Sequence, residues 1–221
     1  CGMGPRGKEA MILTASQPAY FPWCGLFAKI ASADVFCFFD AVQWERHSWT
    51  NRVEIKTQHG RQMLTVPLQS ANHMDKRLCD MMIVDDGWRR KHIRSIELAY
   101  AKAPYFEQCF DEIEWIIKAP HSRYAGLATN ATIWACGKLG LHPRFEYASD
   151  NNFSGAKSEL VLDMCRKLGA NDFLFGSMGA NYADVAAFKA AGITPRFQRY
   201  NHPVYPQLHG EFAPNMSAID L

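Results

Sequence analysis

Apolar residues change their spacing several times along the chain, and each change marks an element. Residues 35–39 (Val-Phe-Cys-Phe-Phe), followed by Asp40, form an unbroken apolar run of strand length. That is the pattern of a strand buried on both faces in a parallel sheet. A shorter apolar run starts at Met11, and Leu26, Phe27 and Ile30 between the two follow helical spacing. The first forty residues therefore predict a β-α-β unit with its helix over about 24–33. Residues 52–57 and 62–68 alternate on either side of Gln58-His59-Gly60-Arg61 and predict a hairpin. The stretch 69–87 is polar and irregular, with a short strand expected at 81–84. From Trp88 the spacing turns helical (Trp88, Ile93, Ile96, Tyr100, then Phe106, Phe110, Ile113, Ile117), broken at Ala103-Pro104. Helices over 124–139 and 156–168 are each closed by a glycine, Gly140 and Gly169. A buried-type strand at 172–175, a helix at 181–191 ending at Gly192, and a strand at 194–200 complete the chain. The expected fold is α/β: a Rossmann-like three-layer sheet drawn from both ends of the chain, with an inserted β-hairpin and helical segment. Residues 11–221 read as a single α/β domain with that insertion at about 50–140, and residues 1–10 as an extension or tag remnant.

Composition narrows the class without naming it. The 221 residues are enough for one sizeable core, or a core with a small lobe, and a hydrophobic share of 48% with 21% charged residues is ordinary for a globular protein. A net charge of +2 argues against general affinity for polyanions, though local basic clusters still suit phosphate. No apolar run approaches the ~20 residues of a membrane span, and the first residues carry no signal-peptide apolar region. The seven cysteines are odd in number and show no C-x-x-C spacing, which indicates neither a zinc site nor a disulfide framework. Reduced cysteines imply a cytoplasmic location. His59, His73, His92 and His209 lack metal-ligand spacing, so no metal is expected, and no motif specifies a cofactor.

Several unusual motifs occur together: Gln17-Pro18, Phe21-Pro22-Trp23, Gly25, Lys29-Ile30, Asp34-Val35-Phe36, Asp40, Val42-Gln43, Ser48-Trp49 and Asn51-Arg52. Leu64-Thr65-Val66-Pro67, Trp88, Tyr100, Ala103-Pro104-Tyr105-Phe106, Leu139-Gly140, Gly176 with Tyr182, and the ending from Tyr200 through Gln207 to Asp220 follow in order. In these residues the chain resembles the WbqC-like family over nearly everything after residue 10. The resemblance implies a role like that of proteins encoded with surface-polysaccharide and O-antigen genes, some described as glycyl or other amino-group transferases. Related bacteriophage sequences suggest DNA base modification as the alternative. The chain departs from the family pattern at Ser16, where a histidine is common. The pattern also continues beyond Leu221, so a trimmed chain is expected.

The candidate chemistry lies in loops that follow strands or open helices, where open α/β sheets bind ligands. The stiff turn at 16–25 offers Gln17 and the rings of Tyr20 and Trp23, for stacking on a base or sugar or for plugging the sheet edge. Asp40, at the end of a buried strand, suits a general base, or a cap for the next turn. Trp44, Arg46, His47, Ser48, Trp49, Asn51 and Arg52 form a basic and aromatic cluster in which Arg52 suits phosphate and Trp49 a ring. The basic run Arg89-Arg90-Lys91-His92 with Arg94 reads as a solvated face. Lys157, next to Gly155, would cradle phosphate, with Ser154 as a helix cap the plainer reading. Ser177 and Tyr182 belong to a G-x-x-G loop, which is not the dinucleotide fingerprint. His202, with Tyr205 and Gln207, follows the last strand and would move a proton. The reading is a transferase: Asp40 and His202 are catalytic, the other named residues bind, and the partner is a phosphate-bearing small molecule such as a nucleotide sugar. Nucleic acid, or a non-catalytic binding module, is the alternative.

Overall fold

A computed structural model of the chain describes residues 10–45, 48–71, 75–181 and 183–221. The expected extension therefore lies outside the described residues except for Ala10, as do Arg46, His47, His73 and Tyr182. Seven strands and six α-helices follow one another along the described chain: β1 (Ile12–Ser16), α1 (Cys24–Ile30), β2 (Val35–Phe38), β3 (Arg52–Thr57), β4 (Gly60–Thr65), α2 (Trp88–Tyr100), α3 (Phe106–Lys118), α4 (Tyr124–Lys138), β5 (Arg144–Tyr147), α5 (Ser158–Leu168), β6 (Asp172–Phe175), α6 (Val185–Ala190) and β7 (Thr194–Phe197). The chain divides into two compact units: one holds the described residues up to Ser16 with Ala28–Phe38 and Pro143–Tyr200, the other Gln17–Phe27, Phe39–His142 and Asn201–Leu221.

The first unit is a five-stranded, wholly parallel sheet in the order β5-β2-β1-β6-β7. Counted within the sheet this is 3-2-1-4-5, the doubly wound order of a Rossmann-like α/β fold. β2 and β6 are buried at every residue, as their continuous apolar runs predict. Phe36, Phe38 and Phe188 are fully buried, each contributing roughly 2–3 kcal/mol of transfer free energy. Phe38 stacks on Phe145 and Tyr147, and Phe175 on Phe197, so aromatic pairs tie each edge strand to its neighbour. The edge strand β5 is not foreseen by the sequence pattern. Its four residues carry only Phe145 and Tyr147 as apolar positions, too little alternation to stand out from a loop. The helix expected at 181–191 is also shorter: a 3-10 turn covers Ser177–Asn181, and α6 starts only at Val185, where the Asp184 carboxylate accepts the Ala187 N–H.

The second unit packs the β3–β4 hairpin against α2, α3 and α4. Thr57 pairs with Gly60, leaving a two-residue turn at Gln58-His59, with Gly60 at a φ of 98° that only glycine adopts without strain. Tyr20, Val53, Ile55, Leu64, Trp88, Ile96 and Tyr124 belong to one buried cluster. The short strand expected at 81–84 is not formed; Met82 and Ile83 make only isolated bridges, to Arg123 and Leu68. Arg89 lies over the Trp88 ring and donates to the carbonyls of Ile117 and His121, so its charge caps the end of α3.

Candidate functional site

In the first unit the strand order reverses between β1 and β6, the switch point where open α/β sheets hold ligands. The two strands pair only as far as Thr14 and Leu174, where Thr14 Oγ1 also donates to the Leu174 carbonyl (2.7 Å). Beyond that rung β1 continues with β2 to Ser16 and Phe38, while β6 continues with β7 to Phe175 and Phe197. The strands thus part over their last residues, and the turn from Gly176 begins at the mouth of the gap. A Cβ on Gly179 would meet the Phe175 Cβ at 2.3 Å, so glycine there lets the turn fold back onto the strand end. A Cβ on Gly176 would meet nothing within 4 Å beyond its chain neighbours. Lys29, on α1, reaches this place: its ammonium donates to the Ala15 carbonyl (2.7 Å) and the residue is 8% exposed. Burial holds its pKa at about 8, well below that of a free lysine. Lys29 stands in the sequence only as part of the Lys29-Ile30 pair of the family pattern, not as a candidate site residue. A lysine inside a helical pattern carries no signal of its own, and its meaning comes from the strand end it meets.

In the second unit the 16–25 turn is fixed by the end of the chain. Ser217 bridges Trp23, its hydroxyl donates to the Phe21 carbonyl (2.8 Å), and the Ala218 N–H donates to Pro22 (2.9 Å). These bonds hold Phe21, which is buried at a left-handed φ of 41°. The Trp23 ring lies nearly parallel to His202, 6.4 Å between centroids, and Phe212 and Tyr205 surround the imidazole. Trp23 is 40% exposed, so the group presents an aromatic shelf. The Asn215 N–H donates to His202 Nε2 (3.2 Å), which leaves the proton of neutral His202 on Nδ1.

Beneath the shelf runs a buried polar network. The Asp220 carboxylate accepts from Tyr100 (2.8 Å), Tyr205 (3.0 Å) and Gln207 (2.5 Å). Lys56, 3% exposed, donates to Gln207 Oε1 (3.0 Å) and to the Glu211 carbonyl. Burial pushes the Asp220 pKa up, and the three donors and Lys56 oppose the rise without cancelling it. Cys24, in contact with the Tyr205 hydroxyl, has its thiol pushed up by burial, so it rests protonated.

Among the sequence-derived candidates, Trp23, His202, Tyr205 and Gln207 come together here. The others stand apart. Asp40 is not at a strand end: β2 stops at Phe38, and Asp40 is buried, its carbonyl accepting the Cys79 N–H (2.8 Å). Tyr20 is fully enclosed, its hydroxyl 3.1 Å from His92 Nδ1, so its ring offers no face to a ligand. Gln17 is half-buried and Trp49 largely exposed. Asn51 is buried and donates to the Val66 carbonyl (2.8 Å), whereas its Oδ1 and the Arg52 Nε are enclosed without a partner among the described residues. In the first unit Lys157 and Ser177 are exposed. A groove of about 550 Å³ nearby in sequence is lined by Gly155, Glu159, Asp163 and Arg166 but not by Lys157, and its carboxylates outnumber its guanidinium. Ser154 caps nothing through its side chain. Its N–H donates to Asp163 (2.8 Å), and α5 starts at Ser158. Among the described residues no His, Cys, Asp and Glu cluster in a way that would hold a metal. No described helix is long and apolar enough to cross a membrane.

A parallel 3-2-1-4-5 sheet with a parted switch point defines an α/β protein of the Rossmann-like kind. The model of the WbqC-like protein family matches residues 17–221, and the chain belongs to that family. It is similar to the uncharacterised protein Rv1507c of Mycobacterium tuberculosis, with 29% identity over 207 residues, 93% of this chain and 90% of that protein. No solved structure matches.

Proposed function

We propose that the protein is a transferase that moves an amino, aminoacyl or acyl group onto a phosphate-activated acceptor, such as a nucleotide-linked sugar used in surface-polysaccharide assembly. The parting of β1 and β6 at the switch point carries this reading, because the pairing ends at the place where such sheets take phosphate-bearing ligands. The shelf of Trp23, His202, Tyr205 and Phe212 supports it independently, since flat apolar rings beside an imidazole suit a sugar or base. His202 is the proposed acceptor of the proton lost by the attacking amine or hydroxyl, taken at Nε2 once the Asn215 N–H that occupies it in the free protein lets go. Asp40 is proposed as a second proton-handling group, and Arg52, Lys157 and Ser177 as phosphate contacts.

The test is a thermal-shift screen against nucleotides, nucleotide sugars, amino acids and short DNA. Mass spectrometry of mixtures containing any binder and activated donors then reads turnover. A ligand specific to the folded state raises the apparent stability with its concentration over Kd. The reading expects a shift from a nucleotide sugar that survives moderate salt, and turnover lost in His202→Ala. Shifts from DNA alone that collapse steeply with salt would overturn it in favour of a nucleic-acid enzyme. Binding without turnover under any donor would overturn the catalytic half and leave a binding module.

A further inference from the structure

The carbonyls of β1 alternate between its two neighbours. Met11 accepts the Asp172 N–H (3.2 Å) on the β6 side, and Ile12 accepts the Asp34 N–H (2.9 Å) on the β2 side. With a period of two, Ala15 faces β6 as Met11 does. The β6 donors follow the same period, so the next in line after Asp172 and Leu174 is the N–H of Gly176. That rung is not made. The Ala15 carbonyl accepts the Lys29 ammonium instead, at 2.7 Å. Among the described residues, the Gly176 N–H has no hydrogen-bond partner.

As a purely structural arrangement this substitution is unfavourable. A neutral backbone donor of the same sheet is replaced by a cation that is more than nine-tenths buried, and burying an unpaired charge costs several kcal/mol. No described carboxylate pairs with Lys29. The charged groups on the strands packed around it are committed elsewhere. Asp34 accepts the Ile12 N–H at the start of β1 (2.8 Å), and Asp172, at the start of β6, pairs with Arg196 of β7 (2.5 Å). Burial alone accounts for the lowered basicity of the ammonium. What the arrangement leaves is two sets of donors at the unmade rung, the remaining ammonium N–H bonds and the Gly176 N–H, and nothing within 4 Å of where a Gly176 Cβ would stand.

We propose that the Lys29 ammonium and the Gly176 N–H form an anion site in the gap between β1 and β6, which takes a phosphate group of the substrate. The site rests on the reading of the switch point as the ligand site, and it assigns the phosphate to residues that reading did not use. The bound anion supplies the missing countercharge, so binding and protonation of Lys29 are linked: each favours the other.

The experiment uses the full chain with its lysines isotopically labelled at Nζ and Cε, titrated with inorganic pyrophosphate and then with ADP, and compared with Lys29→Met and Lys29→Arg. The Lys29 pKa is expected to rise by a unit or more at saturating pyrophosphate. From pH 7 to pH 9 the wild-type affinity should fall about tenfold more than that of Lys29→Met, following the loss of the ammonium at about pH 8; the methionine variant subtracts the probe's own ionisation. At pH 7 Lys29→Met should bind at least tenfold more weakly, and Lys29→Arg should keep part of the affinity. A Lys29 resonance that ignores the probe, equal affinities in wild type and Lys29→Met, or no binding at millimolar pyrophosphate would each overturn the site. If ADP binds wild type and Lys29→Met equally, the anion site falls while the nucleotide reading stands. If pyrophosphate moves Lys29 but no nucleotide binds, the reading of the substrate falls and the anion site stands.

Discussion

Replacing Lys29 by methionine should make the free protein more stable at neutral pH and remove a specific pH dependence. Burial takes the ammonium from 10.5 down to about 8. A lowering of that size corresponds to about 3 kcal/mol held against the charged folded state. The sign follows from proton counts. Below pH 8 lysine is charged in both states and the folded protein carries the full cost. Between 8 and 10.5 the unfolded chain binds more protons, so stability rises with pH; above 10.5 both states are neutral and the cost is gone. Methionine fills a similar volume without charge, but it forfeits the bond to the Ala15 carbonyl, worth about 1 kcal/mol. The net expectation is a gain of about 2 kcal/mol at pH 7 that fades to a small loss above pH 10.5. The assay must report on the parallel sheet. All six tryptophans (Trp23, Trp44, Trp49, Trp88, Trp115 and Trp134) belong to the other unit, so indole fluorescence is the wrong probe. Amide hydrogen exchange at β1 and β2 as a function of pH reads the right element. If the two proteins keep the same offset from pH 7 to 11, or the variant is weaker at pH 7, Lys29 is not a buried uncompensated charge and the reasoning fails.

Three further outcomes test the second unit. His92 is buried against Trp88 and Tyr20, and burial holds its pKa at about 4, against weaker opposing effects of the Thr65 backbone and Asp86. The unfolded chain protonates below about 6.5 while the folded one does not. Stability is therefore lost as pH falls from 6.5 to 4, by at most about 3 kcal/mol, and His92→Gln should flatten that limb in urea melts followed by tryptophan emission. Tyr100→Phe removes a donor to Asp220 (2.8 Å) and the acceptor of the Lys56 N–H (3.0 Å), so it should cost about 2 kcal/mol in the same melts and push the Asp220 carboxyl still higher in carbon-detected titrations. In Gly25→Ala the new Cβ would sit 2.2 Å from the Trp23 indole, so the ring must leave His202. Near-UV circular dichroism should change while the melting temperature holds, since alanine suits the first turn of α1, and an unchanged spectrum would contradict the shelf.

The parallel sheet was legible because its inner strands are buried on both faces. β2 and β6 have no polar side to show, and their unbroken apolar runs cannot be mistaken for a surface strand. Edge strand β5 is short and half-buried, and its sequence looks like the loops around it. The helices were found through Gly140 and Gly169, which stop them at left-handed φ values of 67° and 77°, but their starts were less exact because no side chain caps α4 or α5. The division into two units is written in no single stretch, since each unit is assembled from three separated segments of chain.

The candidate sites divide along the same line. Trp23, His202, Tyr205 and Gln207 stand out as candidates because proline, aromatic and histidine residues crowd into short, conspicuous turns, although nothing local says that residues 23 and 202 share a stacking contact. Asp220 escaped notice as a site residue because a lone carboxylate near a chain end is common; three donors converging on it give it significance. Lys29 is the extreme case. The helical pattern around it reads like that of an ordinary solvated lysine; what sets Lys29 apart is that it is buried and donates to the Ala15 carbonyl where β1 and β6 stop pairing. Its chemistry depends on the register of strands separated by more than 150 residues of sequence, and on one rung that the sheet leaves unmade. The proposed anion site lies where pairing stops, and the stopping point is a property of the assembled sheet that no window of sequence contains.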